Sequence, residues 1–80
     1  MTTQTVYRLG LDIETHDVKK VLRALLRLKS TVSAVDGGMY HEDAGYSQVH
    51  VETSKTEDEM DKWLYDRGFD YCGVFCLATL

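Results

Sequence analysis

Residues 46–59 read YSQVHVETSKTEDE and decide the fold, because a strand pattern in them runs directly into a helix start. Side chains alternate over residues 46–53 between an apolar and a polar face, which predicts a half-buried strand. Thr56 and Glu59 then have the spacing of a capping box, in which each side chain bonds the backbone amide of the other residue. We therefore expect a strand that is followed almost at once by a helix.

The N-terminal part of the chain shows the same succession of a strand and then a helix. Residues 5–13 alternate and predict a first strand. Residues 16–29 have helical periodicity, and Thr15 precedes them as an N-cap. The basic face of this helix is formed by Lys19, Lys20, Arg23 and Arg27, and its apolar stripe is formed by Val18, Val21, Leu22, Leu25, Leu26 and Leu28.

The middle of the chain predicts a hairpin. Residues 31–35 are rich in β-branched side chains and end at the turn-forming residues 36–38. Residues 39–41 can continue this strand beyond a bulge. Residues 42–45 then form the hairpin tip, where Gly45 supplies a positive φ.

The C-terminal part completes the pattern. The second helix has its apolar stripe at Met60, Trp63 and Leu64, and Gly68 stands where a C′ glycine ends a helix. Residues 71–80 are apolar and β-prone, so we expect a last strand with both faces at least partly covered.

The element order β-α-β-β-α-β defines the fold class. With right-handed crossovers, the commonest arrangement is an α+β two-layer sandwich of the ferredoxin-like kind. It is a four-stranded antiparallel sheet ordered 4-1-3-2, with both helices on one face. Residues 1–80 are expected to form a single domain, since a chain of this length has no room for a second core.

Composition and charge indicate the class and the cellular location of the protein. The chain has 80 residues, two cysteines and a formal net charge of −4. Two cysteines are too few for a disulfide scaffold, and no segment reads as a signal peptide or a membrane span, so we expect a soluble, cytoplasmic protein. Residues 1–30 carry a net charge of +3, whereas residues 31–80 carry −7. This asymmetry is a clue to partners.

Motifs for catalysis, metals and cofactors are not apparent in the sequence. Cys72 and Cys76 would lie about 13 Å apart on a strand, too far to share one ion, and we interpret them as small buried hydrophobic residues. His41 and His50 lack an orienting partner for nucleophilic or acid–base chemistry. His16 would begin a helix, where its cation is mildly unfavourable. We therefore expect no enzyme activity, no metal and no cofactor.

Direct binding of nucleic acid is also not expected. RNA-recognition domains share the predicted topology and stack bases on aromatic side chains of the two central strands. Here the outward side of the first strand would show Val6, Arg8, Gly10 and Asp12, and Tyr46 is the one aromatic on the outward side of the third. The sequence pI of about 5.2 disfavours phosphate binding as well.

Binding to protein is the remaining class, and the second helix supplies its candidate residues. Asp58, Asp61 and Tyr65 recur on one side of that helix, with Glu57 beside them and away from the apolar stripe. Glu42 and Asp43 at the hairpin tip, together with Asp36, would enlarge this acidic region. Such a surface suits a partner with a basic surface.

A free-standing acidic domain of this size resembles the small accessory proteins of phages and mobile elements, of which anti-CRISPR proteins are one group. That resemblance implies an inhibitor that covers the positively charged nucleic-acid surface of a larger complex. The alternative is a dimeric regulatory domain that binds a small metabolite between subunits. Its open sheet face would pair with a second copy through Val6, Val74 and either Tyr40 or Tyr46, or the terminal strands of two copies would pair edge to edge.

Overall fold

The computed structural model describes residues 4–38 and 45–80 of the chain. The strands form one antiparallel sheet in the order β2-β3-β1-β4, which is the predicted order read from the other edge. The ferredoxin-like α+β arrangement is thereby confirmed, whereas the predictions for residues 39–44 fall outside the described residues. The elements are β1 (Tyr7–Glu14), α1 (Val18–Leu26), β2 (Thr31–Asp36), β3 (Tyr46–Thr53), α2 (Glu57–Asp66) and β4 (Tyr71–Thr79).

The core lies between one face of the sheet and the two helices. Leu9, Leu11 and Ile13 of β1 are fully buried, and so are Val49 and Val51 of β3. Burying a side chain of this size contributes roughly 1.5–3 kcal/mol. The same cluster includes, from the helices and β4, Val18, Val21, Leu25, Met60, Leu64 and Val74.

The first helix begins and ends differently from the prediction. A single 3₁₀ turn, Thr15–Asp17, precedes α1, and neither N-cap position makes a side-chain capping bond. Asp17 instead accepts a hydrogen bond at Oδ2 from the backbone amide of Asp70, at 2.9 Å. At the other end α1 stops at Leu26, and that side chain is 64% exposed rather than part of the apolar stripe.

The prediction that both faces of the last strand are covered is wrong. Val74 is the one buried residue of β4, and Cys72 and Cys76 are exposed free thiols rather than core side chains. The apolar composition of this strand is misleading, because β4 is an edge strand that pairs with β1 alone, as the predicted order also has it. Its register against β1 also shifts at two places, which displaces Cys72 and Leu77 from the regular alternation.

The second helix begins at the predicted capping box. The Glu59 amide donates to the Thr56 hydroxyl at 3.2 Å, and the Thr56 amide donates to Oε1 of Glu59 at 3.1 Å. The bond from the Thr56 amide, followed by that with its side chain, lowers the pKa of Glu59. The stabilisation from Glu59 is therefore present above its unfolded pKa and is lost as the pH falls through the lowered folded-state value. Gly68 has a φ of 73° and ends the helix as predicted.

The capping box yields a first testable prediction. Replacing Thr56 by alanine removes the acceptor for the Glu59 amide, and we expect the free energy of unfolding to fall by about 1 kcal/mol. Urea unfolding followed by far-UV circular dichroism measures this loss. The matched control is Thr5→Ala, since Thr5 is exposed and lies outside every helix and strand. Equal losses in the two variants would show that the cap contributes nothing.

Candidate functional site

The acidic surface is defined here as Glu57, Asp58, Asp61 and Tyr65 of α2. All four are exposed. Tyr65 is 75% exposed, more than any other large hydrophobic residue in the described ranges 4–38 and 45–80. The opposite side of the helix buries Met60 and Leu64, so helical periodicity turns the acidic surface away from the core. Within α2 there are five acidic residues and one lysine. The predicted site residues of this helix therefore share one solvent-facing side.

Glu57 has a contact that the sequence did not predict. Its Oε2 accepts a hydrogen bond at 2.9 Å from the backbone amide of Cys76. That amide belongs to the unpaired edge of β4, where a free donor would be open to another strand. Glu57 therefore links the start of α2 to the edge of the sheet by a hydrogen bond. The other members of the acidic surface are exposed to solvent.

Tyr71, the first residue of β4, contacts α2 next to the acidic surface. Its hydroxyl donates to the backbone carbonyl of Asp61 at 3.0 Å. Burial is the main cause that raises the pKa of Tyr71. The side chain of Asp61 raises it further through a hydrogen bond and through its negative charge, and so do the charges of Tyr65 and Asp66. The phenol is therefore held neutral in a region of negative potential, which is the potential a basic partner would meet.

Asp36 does not extend the acidic surface, although the sequence predicted that it would. This residue ends β2, at the opposite edge of the sheet from β4, against which α2 packs. Three strand spacings of about 4.8 Å separate the two edges. The Oδ1 of Asp36 accepts the amide of Gly38 at 2.8 Å and shapes the turn instead. Glu42 and Asp43 lie outside the described residues.

The open face of the sheet is polar in its centre and apolar toward its edges. Gln48 donates to Asp12 at 3.2 Å and bonds the ring of His50 at 2.8 Å. Asp12 lies on the open face, as predicted, but it is only 8% exposed, so the expectation that it is exposed there is wrong. The apolar side chains are Val35 on β2 and Phe75 on β4, which are 58% and 49% exposed.

The apolar contact predicted for a dimer differs in the structure. Val74 cannot contribute to the open face, because it pairs with Leu11 and packs into the core on the helix side. Phe75 and Leu77 occupy the open face instead. A Cβ built on Gly10, at the centre of this face, would lie 3.4 Å from Cδ1 of Leu77. Tyr40 is outside the described residues, and Tyr46 is half-buried.

A cluster around His16 joins two loops that are distant in sequence. The Nε2 of His16 lies 2.8 Å from Asp70, and Glu14 and Asp17 approach the ring at 3.6 and 3.8 Å. The ligand atoms of Glu14, His16 and Asp70 all lie within 4.8 Å of one another, a spacing that could hold a cation. All three side chains are at least partly exposed, and the hydrogen bond between His16 and Asp70 already links the loops that precede α1 and β4. Sequence reasoning placed His16 at a helix start and missed these carboxylates.

Comparison with protein-family models, with curated proteins and with solved structures finds no match to this chain. In the part of the chain that the structure describes, no helix has the length and apolar character needed to cross a membrane. The arguments for function therefore rest on the surfaces of the molecule.

Proposed function

We propose that the chain is a non-catalytic protein-binding module that inhibits or modulates a larger macromolecular partner by covering part of its surface. The observation that carries this proposal is Tyr65, 75% exposed on the same side of α2 as Asp58 and Asp61. Tyrosine is enriched among the residues that dominate protein interfaces, because it buries a large ring and keeps a polar tip. Here the ring stands free of the core and is flanked by carboxylates.

The charge of the acidic surface supports a partner with a basic surface. Carboxylates attract a basic protein surface and speed its encounter, an effect that salt weakens. Protein surfaces with clustered lysine and arginine are those that bind nucleic acid. The proposed action is therefore occlusion of such a surface, as the resemblance to phage accessory proteins of the anti-CRISPR kind implies.

Charge reversal on α2 tests the proposal. The purified, tagged chain is used to capture its partner from a lysate of the native host, and the affinity is then measured with purified components. We expect Asp58→Lys combined with Asp61→Lys, and separately Tyr65→Ala, to weaken binding by at least about tenfold. Heparin, a polyanion, should compete with the wild-type chain for the partner.

A matched variant separates the site from the net charge. Asp36→Lys combined with Glu52→Lys makes the same change of net charge on β2 and β3, away from α2. This control should bind nearly as well as the wild type. If the two double variants lose affinity equally, or if Tyr65→Ala binds normally while remaining folded, α2 is not the binding surface.

A further inference from the structure

A second surface of the helical layer has the reverse charge. A cavity of about 310 Å³ lies between the outer face of α1 and the residue that follows α2. This volume is at the lower end of the range for small-molecule sites, so it suits a compact ligand. The residues that line the cavity are Lys20, Arg23, Ala24, Arg27, Leu28 and Arg67.

Helix geometry brings the cations of this cavity together. The five lining residues from α1 and the two positions that follow it occur at i, i+3, i+4, i+7 and i+8, so they share one side of the helix. Arg67 joins them from the C-cap of α2, and its guanidinium lies 5.4 Å from the centre of the Trp63 ring. Such a cation–π contact restrains the guanidinium. The small Ala24 leaves space between the longer side chains.

The charges around the cavity are largely uncompensated. Lys20 has a carboxylate neighbour, Asp17, at 3.9 Å. Within residues 4–38 and 45–80, none of Arg23, Arg27 and Arg67 forms a salt bridge. Like charges three or four residues apart destabilise a helix, although the C-terminal end of the α1 dipole offsets part of this cost. An anion bound in the cavity would neutralise the positive charges and so relieve the rest of this repulsion.

We propose that this cavity binds a compact phosphate-bearing anion, specifically a diphosphate group. The planar guanidinium presents paired N–H donors that match two oxygens of one phosphate. Three arginines around one cavity can therefore donate hydrogen bonds to two adjacent phosphates. The site is formed by α1 and Arg67 and shares no residue with the acidic surface. It therefore stands or falls separately from the proposed function.

Titration with sodium pyrophosphate tests the proposal, with sodium chloride at matched ionic strength as the reference. Isothermal calorimetry should show saturable binding at one site, and the midpoint of thermal unfolding should rise with pyrophosphate beyond the salt reference. ADP, which carries the same diphosphate on a nucleoside, identifies the source of the group. Tighter binding of ADP than of pyrophosphate assigns a nucleotide, and weaker binding assigns the free anion.

Single substitutions locate the site. Arg27→Gln and Arg67→Gln, at the C-caps of α1 and α2, should each weaken pyrophosphate binding by about tenfold or more, since each removes charged hydrogen bonds. Lys19→Gln removes the same charge from α1 outside the cavity and should bind as the wild type does. Circular dichroism establishes that each variant is folded. Absence of saturable binding, equal weakening by Lys19→Gln, or binding of a single-stranded oligonucleotide without binding of pyrophosphate would overturn the proposal.

Discussion

Replacing Leu11 by alanine is expected to reduce the free energy of unfolding by about 2–5 kcal/mol. Leu11 is fully buried at the centre of β1, where it pairs with Val49 on one side and Val74 on the other. The substitution removes apolar contact and leaves a cavity that neighbouring strands cannot fill, because both are fixed in register. Small domains have a total stability of about 5–15 kcal/mol, so this loss is a large fraction of it. Urea unfolding monitored by Trp63 fluorescence measures the change.

Leu26→Ala is the matched control for that experiment. The chemical change is identical, but Leu26 lies at the end of α1 and is 64% exposed. A change of no more than about 0.5 kcal/mol is expected for it. If the two variants lost similar amounts of unfolding free energy, Leu26 would have to be buried in solution. Its assignment as an exposed residue at the end of α1 would then be wrong.

The second large effect is expected at Gly37, which follows β2 and is hydrogen-bonded to β3. Its amide donates to the carbonyl of Gln48 at 2.7 Å, and a Cβ built on Gly37 would lie 2.7 Å from that same oxygen. Because the obstacle is backbone, Gly37→Ala must push β2 away from β3, and we expect a loss of about 1–3 kcal/mol in the free energy of unfolding. Amide hydrogen exchange should also accelerate in β2.

Gly73→Ala makes the same substitution against a movable neighbour. A Cβ there would lie 3.1 Å from Cζ of Phe75, whose ring is exposed and can rotate away. Alanine also restricts the unfolded chain at both positions, which favours the variants slightly. We expect Gly73→Ala to change stability by no more than about 0.5 kcal/mol. A Gly37→Ala protein as stable as Gly73→Ala would contradict the assigned backbone contact.

The parts of the fold that could be predicted are those specified by local pattern. The bounds of β3, Tyr46–Thr53, match the alternation in the sequence, and the capping box places the start of α2. The edge position of β4 follows from the predicted sheet order, but the apolar composition of residues 71–80 leads to the expectation that both of its faces are covered. Composition does not encode the exposure of Cys72 and Cys76, which becomes visible only in the folded structure.

The candidate site divides in the same way. Helical periodicity alone predicts that Asp58, Asp61 and Tyr65 share an outward side, and the structure places them there. The bond that the Cys76 amide donates to Glu57 spans 19 residues, and the bond between His16 and Asp70 spans 54. No local pattern encodes such pairs, since they depend on where the chain ends meet after the sheet has formed.

The neighbouring helices make the molecule an electric dipole. α1 presents lysines and arginines, α2 presents mainly carboxylates, and both lie on one face of the sheet, so the dipole runs across the helical layer. At physiological salt, charges act over a screening length of about 8 Å. A basic partner within that range attracts the α2 flank and repels the α1 flank, which turns the protein toward its binding orientation before the two surfaces touch.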